Sequence, residues 1–188
     1  MKSENFLKER ETETQEIIDI VNQEFSVLSL HQLNTKPAPD KWSIAECLAH
    51  LNLTLNIYIP QMLKVVEQSE KYGKQKENFS YSAIGKLAFK AMLPKSDNTI
   101  GFKMKTFKRL NPERSAINAA KTISEFLEFQ NQIIQIIHGL KNTSLTKPKI
   151  ITAAGPIIKM NIGDALHFMV AHNQRHIIQA QNVFKIIH

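Results

Sequence analysis

The residues with the most pointed chemistry in this chain are histidines. His172-Asn173-Gln174-Arg175-His176 sets two imidazoles four positions apart. On a helix they stand one above the other, so both can reach one metal ion at about 2.0–2.1 Å. They also fall on the apolar line of their segment, which turns them toward a protein interior. A zinc-protease reading fails, because Asn173 stands where an H-E-x-x-H enzyme needs its glutamate base. Taken alone, the pair reads more readily as two ordinary histidines, one buried and one near an edge, than as a metal site. His50 adds a third imidazole from a distant segment, on the line Cys47, His50, Thr54, Ile57. Three neutral imidazoles from two helices, with one coordination position open, are the donor set of a catalytic rather than a closed structural metal site.

Such side chains need rigid elements to hold them, and helical periodicity supplies four. Residues 3–33 carry Phe6, Ile17, Val21, Phe25 and Leu28 on one face. After the proline-rich loop 34–40, Ser43 and Glu46 form a capping box that opens a second helix, running to about Gly73. Pro60 inside it predicts a kink or a split. A third helix fits from about Glu113 to His138, with Gly139 as its C-terminal cap. A fourth begins near Asn161 or Ile162 and carries Leu166, Met169, His172, His176, Ala180 and Val183 on one line. A short helix over 83–93 is expected to close at Pro94, and 100–110 reads as an ordered loop or a strand. The expected fold is all-α: a four-helix bundle in one domain over 1–188, with long connections at 74–112 and 141–160 that allow crossovers.

Composition sets the outer limits. The 188 residues are 43% hydrophobic and 22% charged, a balance suited to a globular core. Six scattered glycines leave no phosphate-binding loop. The N-terminus is charged where a signal peptide is apolar, no stretch approaches the roughly 18 apolar residues of a membrane span, and the lone Cys47 forms no internal disulfide. A cytoplasmic protein without membrane association is the expectation. The net charge of +7 is concentrated in a basic, insertion-like segment at about 74–111, which holds Lys86, Lys90, Lys95, Lys103, Lys105, Lys108 and Arg109. That segment reads as a solvated loop, as a cover attracting an anionic substrate to a pocket mouth, or as a phosphate-backbone contact. No nucleic-acid-binding motif accompanies it, so DNA or RNA is not an expected partner.

Several neighbours of the histidines have a plain structural reading. Glu46, one turn before His50, could orient that ring, but the capping box already explains it. Cys47 reads as a small buried hydrophobe. His167 falls about half a turn from His176 and is not expected among the ligands. Gln179 could buttress a ligand or touch substrate. Arg175 is expected to meet solvent or an acidic neighbour, and Trp42 to pack at the helix start.

Trp42-Ser43-Ile44-Ala45-Glu46-Cys47-Leu48-Ala49-His50-Leu51 resembles the W-S-x-x-E-x-x-x-H-L signature of DinB-like bundle proteins, and His172-Asn173-Gln174-Arg175-His176-Ile177-Ile178-Gln179 resembles their C-terminal H-x-x-x-H-x-x-Q. The resemblance implies a four-helix bundle with two crossovers and one divalent metal ion held by His50, His172 and His176, with zinc or nickel foremost among the metals that imidazole suits. Glu46 and Gln179 are the expected supporting residues. Relatives in that family include bacillithiol S-transferases and a mycothiol-dependent maleylpyruvate isomerase. The implied function is transfer of a low-molecular-weight thiol to an electrophilic small-molecule substrate, or hydrolysis of one. The alternative is a non-catalytic, stress-related protein that binds a metal or a small molecule. A homodimer is compatible with the resemblance.

Overall fold

The computed structural model describes residues 1–92, 106–112 and 117–187. Helix α1 (Ser3–Ile20) runs into a π-helical turn at Val21–Phe25, and the chain then leaves the helix. The single helix expected over 3–33 is therefore two. Ser29 starts α2 (Leu30–Asn34) with a capping box of its own: its hydroxyl accepts from Gln32 N–H at 3.3 Å, and Gln32 Oε1 accepts from Ser29 N–H at 3.0 Å. Past Phe25 the exposed Val27 and Leu30 interrupt the apolar line, and Leu28 packs on the core from outside the helix.

Helix α3 (Ile44–Glu67) begins at the predicted Ser43–Glu46 capping box. It runs unbroken through Pro60, so of the expected kink or split the split does not occur. A proline in a helix interior costs about 3 kcal/mol. Burial of Tyr58, Ile59 and Met62 around it outweighs that at about 1.5–3 kcal/mol per side chain. The carbonyl left without a donor belongs to Asn56, which is exposed, so water can serve it.

The expected short helix is α4 (Ala83–Met92), while Pro94 and most of 100–110 lie outside the described residues. The described part of that stretch contains a 3-10 turn at Lys108–Leu110 and no strand. Helix α5 (Ala119–Gly139) starts later than Glu113, where Asn118 Oδ1 accepts from Lys121 N–H at 3.1 Å. Its buried line runs through Ile123, Phe126, Gln130, Ile133 and Ile137.

The connection 141–160 holds an antiparallel hairpin, β1 (Lys149–Thr152) and β2 (Gly155–Asn161), in which Ile150 faces Met160. Gly155 has φ 127°, a backbone conformation open to glycine and strained for other residues. Gln61 of α3 pins this hairpin: its Oε1 accepts from Ile151 N–H at 2.9 Å and its Nε2 donates to Ile151 O at 3.1 Å. Asn161 Oδ1 then accepts from Asp164 N–H at 2.7 Å, and α6 (Ile162–Ile187) follows.

Helices α1, α3, α5 and α6 form the bundle. Both α1 and α3 pack on α5 and α6, which leaves α1 diagonal to α3 and α5 diagonal to α6. The diagonal steps are made by 26–43 and by the hairpin connection, whereas the long basic connection joins the neighbours α3 and α5. One continuous apolar core fills the bundle. Inside it, Asn173 Nδ2 of α6 donates to Gln130 Oε1 of α5 at 3.1 Å. No helix among the described residues is long and apolar enough to cross a membrane.

Candidate metal centre

Helices α3 and α6 lie side by side, and the three sequence-predicted imidazoles meet between them. One ligand atom from each of His50, His172 and His176 lies within 4.8 Å of the other two. The closest pair is His50 Nε2 and His172 Nε2, at 3.3 Å. Four-coordinate zinc with nitrogens at 2.0–2.1 Å has a ligand–ligand edge of about 3.3–3.4 Å, so this pair already has the spacing of two ligands on one tetrahedral ion.

Hydrogen bonds at the far side of the rings set which nitrogen faces the centre. His50 Nδ1 lies 2.8 Å from Leu110 O, so the N–H is on Nδ1 and the Nε2 lone pair points inward. His176 Nδ1 lies 2.9 Å from Gln179 Oε1, which leaves Nε2 of that ring for the centre in the same way. His172 differs: its Nδ1 is buried with no hydrogen-bond partner among the described residues. Between the facing Nε2 atoms of His50 and His172 there is room for one proton at most. One proton shared by the pair, or one cation accepting both lone pairs, satisfies these two atoms.

The electrostatics agree with neutral ligands. Burial pushes the His172 imidazole down to about 3, with His50 and the Arg175 charge acting in the same direction. Burial likewise holds His176 well below the usual histidine range, reinforced by His172 and His50. His50 is lowered by burial and partly restored by the Leu110 carbonyl. All three rings are therefore uncharged at neutral pH, the form in which imidazole binds a metal.

Aromatic side chains enclose the cluster. The Trp42 ring lies 4.9 Å from that of His50 and stacks on His176 at 5.9 Å. Phe168 stacks on His172 at 5.7 Å, and Tyr58 stands 5.9 Å behind Phe168. The Tyr58 hydroxyl accepts from Ala153 N–H at 3.1 Å, and Arg109 donates to the carbonyl of the same residue, so hairpin and basic segment meet beside this wall. The sequence reading assigned Trp42 to the helix start alone, and it missed Phe168, Tyr58 and the Leu110 carbonyl. Phe168 was accessible to it, since it sits one turn before His172. The Leu110 contact spans 60 residues and carries no sequence signal.

Glu46 does not reach the imidazoles by any described contact. One of its oxygens accepts from Ser43 N–H at 2.8 Å and the other meets Lys36 Nζ at 2.9 Å. Cys47 is fully buried, and burial pushes its thiol further up. Arg175 is buried rather than at solvent. His167 lies on the far face of α6, stacked on Phe89 with ring centroids 3.9 Å apart.

No curated protein and no solved structure matches this chain. A family model, that of the DinB superfamily, matches residues 14–180 and so spans both the His50 helix and the His172–His176 helix. With that match over nearly the whole chain, and a helical bundle carrying three converging histidines, the protein belongs to the DinB superfamily.

Proposed function

We propose that His50, His172 and His176 hold one divalent metal ion, zinc or nickel, and that the protein uses it to transfer a low-molecular-weight thiol to a small electrophile. The observation that carries this reading is the convergence of three neutral imidazoles within 4.8 Å. An ion in such a site, with one position open, supplies Lewis acidity that lowers the pKa of a bound thiol or water.

The surrounding residues favour thiol transfer over hydrolysis. Cys47 is sealed in the core with its pKa raised by burial, so it does not serve as the nucleophile. Glu46 is committed to the helix cap and to Lys36, and no carboxylate joins the histidine cluster among the described residues. Hydrolysis at a metal centre usually recruits such a carboxylate as general base, whereas a thiol of lowered pKa gives its proton to solvent unaided. The Trp42 and Phe168 rings offer an apolar wall for the electrophile, and exposed Arg109 lies near enough to Tyr58 to offset part of the rise that burial causes in that phenol's pKa. Its charge would favour an anionic thiol or acid.

The test is a conjugation assay on metal-loaded protein with a small thiol and 1-chloro-2,4-dinitrobenzene. The sulfur–carbon bond forms, the carbon–chlorine bond breaks, chloride leaves and the thiol proton goes to buffer. Thiol consumption that needs the ion and disappears in His172→Ala is expected. Equal rates in the wild type and the variant overturn the reading.

A further inference from the structure

Helix α6 has a second working face. His172 and His176 look toward α3, while His167, Ala171, Gln174 and Ile178 lie about half a turn away and line a cavity of about 490 Å³. The opposite walls come from Ile17 and Ile20 of α1 and from Phe89 and Met92 of α4. A volume of this size is in the range of small-molecule sites, about 300–1,000 Å³, and the walls combine apolar and aromatic side chains with charged and amide ones.

Those polar groups have a definite sign. Glu9, Glu13 and Glu16 face the cavity together with a single cation, Arg10. The Arg10 guanidinium is already engaged by Glu13, with bonds of 2.6 and 2.7 Å, and by Glu9 at 3.4 Å. Three carboxylates against one guanidinium make this an acidic wall in a chain of net charge +7. The inner end is aromatic: Phe89 stacks on His167 at 3.9 Å and Tyr81 lies 5.1 Å from the same ring. His167 is only 6% exposed, and its Nδ1 has no hydrogen-bond partner among the described residues. A buried polar nitrogen left in that state calls for a group that the described chain does not supply. Burial and the nearby Arg10 push this imidazole down to about 4, so it stays uncharged at neutral pH and does not repel a cation.

We propose that this cavity is a ligand site, separate from the histidine cluster, for a small aromatic amine. Its ring system lies against Ile17, Ile178 and the Phe89–Tyr81 wall, and its protonated nitrogen sits at the Glu13 and Glu16 carboxylates. An aromatic acid of the same size meets like charge at that end and is excluded.

The test uses the metal-loaded full chain and two probes of similar shape, 1-naphthylmethylamine and 1-naphthylacetic acid, followed by titration calorimetry. Saturable one-to-one binding of the amine, at least tenfold tighter than the acid, is expected. Glu16→Gln removes an exposed carboxylate with little risk to the fold and should weaken the amine about fivefold. Ala171→Phe fills the cavity and should abolish binding with the helical circular dichroism retained. An amine could also ligate a metal, so His172→Ala serves as the control and should bind the amine as the wild type does. Absence of saturable binding, equal affinity for amine and acid, or loss of amine binding in His172→Ala with none in Glu16→Gln overturns the proposal.

Discussion

His50 and His172 are 122 residues apart in the chain, yet their Nε2 atoms face each other at 3.3 Å. The bundle achieves this by placing α3 and α6 side by side. It leaves two lone-pair donors directed at one point, with His176 as the third.

Metal should therefore contribute to stability as well as to chemistry. Purified without chelators, the protein is expected to carry close to one divalent ion, and His50→Ala or His176→Ala should remove it. An ion bound at a hundredfold excess over its Kd stabilises the fold by about 2.7 kcal/mol. For a chain of this size that raises Tm by about 5–10 °C. A chelator should reverse the gain in the wild type and have no effect on His50→Ala, which differential scanning fluorimetry can check.

Trp42 is the only tryptophan in the chain, and its ring lies 4.9 Å from His50 and 5.9 Å from His176. Its fluorescence should report occupancy of the centre directly. Nickel, with its open d shell, should quench it more than zinc. Trp42→Phe should lose the signal while elemental analysis shows the metal retained.

Gln179 and Glu46 separate in their effects. Gln179 Oε1 fixes the His176 tautomer at 2.9 Å, so Gln179→Ala should weaken metal binding about 10–100-fold, the usual cost of losing such a support. Glu46→Ala removes a helix cap instead. It should cost about 1 kcal/mol of stability, with the metal Kd unchanged. A competition titration beside a denaturation curve measures both quantities.

His167 sets part of the acid sensitivity. Its pKa in the folded protein is lowered by burial to about 4, against 6.5 for the unperturbed group. The unfolded chain therefore binds the proton first. The stability is full above about 6.5 and is lost progressively as pH falls toward 4. Urea denaturation of the metal-free protein across this window should show a smaller loss for His167→Phe than for the wild type.

Gly85 pits helix propensity against packing. Alanine would favour α4 by about 1 kcal/mol. A Cβ at this position, however, would lie 2.2 Å from Cγ of Asp164. That carboxylate is buried and anchors the start of α4 through the Ser82 hydroxyl, at 2.5 Å, and the Ser82 N–H. Overpacking of this kind costs about 1–3 kcal/mol, so Gly85→Ala should be net destabilising in chemical denaturation.

Much of this protein is legible one helix at a time. The Ser43–Glu46 cap, the apolar stripes of α3 and α6, and the i, i+4 spacing of His172 and His176 are local patterns, and local patterns survive in a bare sequence. The hairpin was less so. Its Ile150-Ile151-Thr152 and Ile157-Ile158 runs flank the turn at Ala153-Ala154, but two prolines and only four paired positions conceal them. What the chain alone determined is which residues could ligate and which helices carry them, because residue type and periodicity are enough for that. Only the tertiary structure decided that α3 rather than α5 stands beside α6. It also chose Leu110 O to orient the His50 ring, stacked Trp42 on His176, and turned His167 into a separate acidic cavity. These are contacts between segments far apart in the chain, fixed by how the helices pack, and no local pattern encodes them.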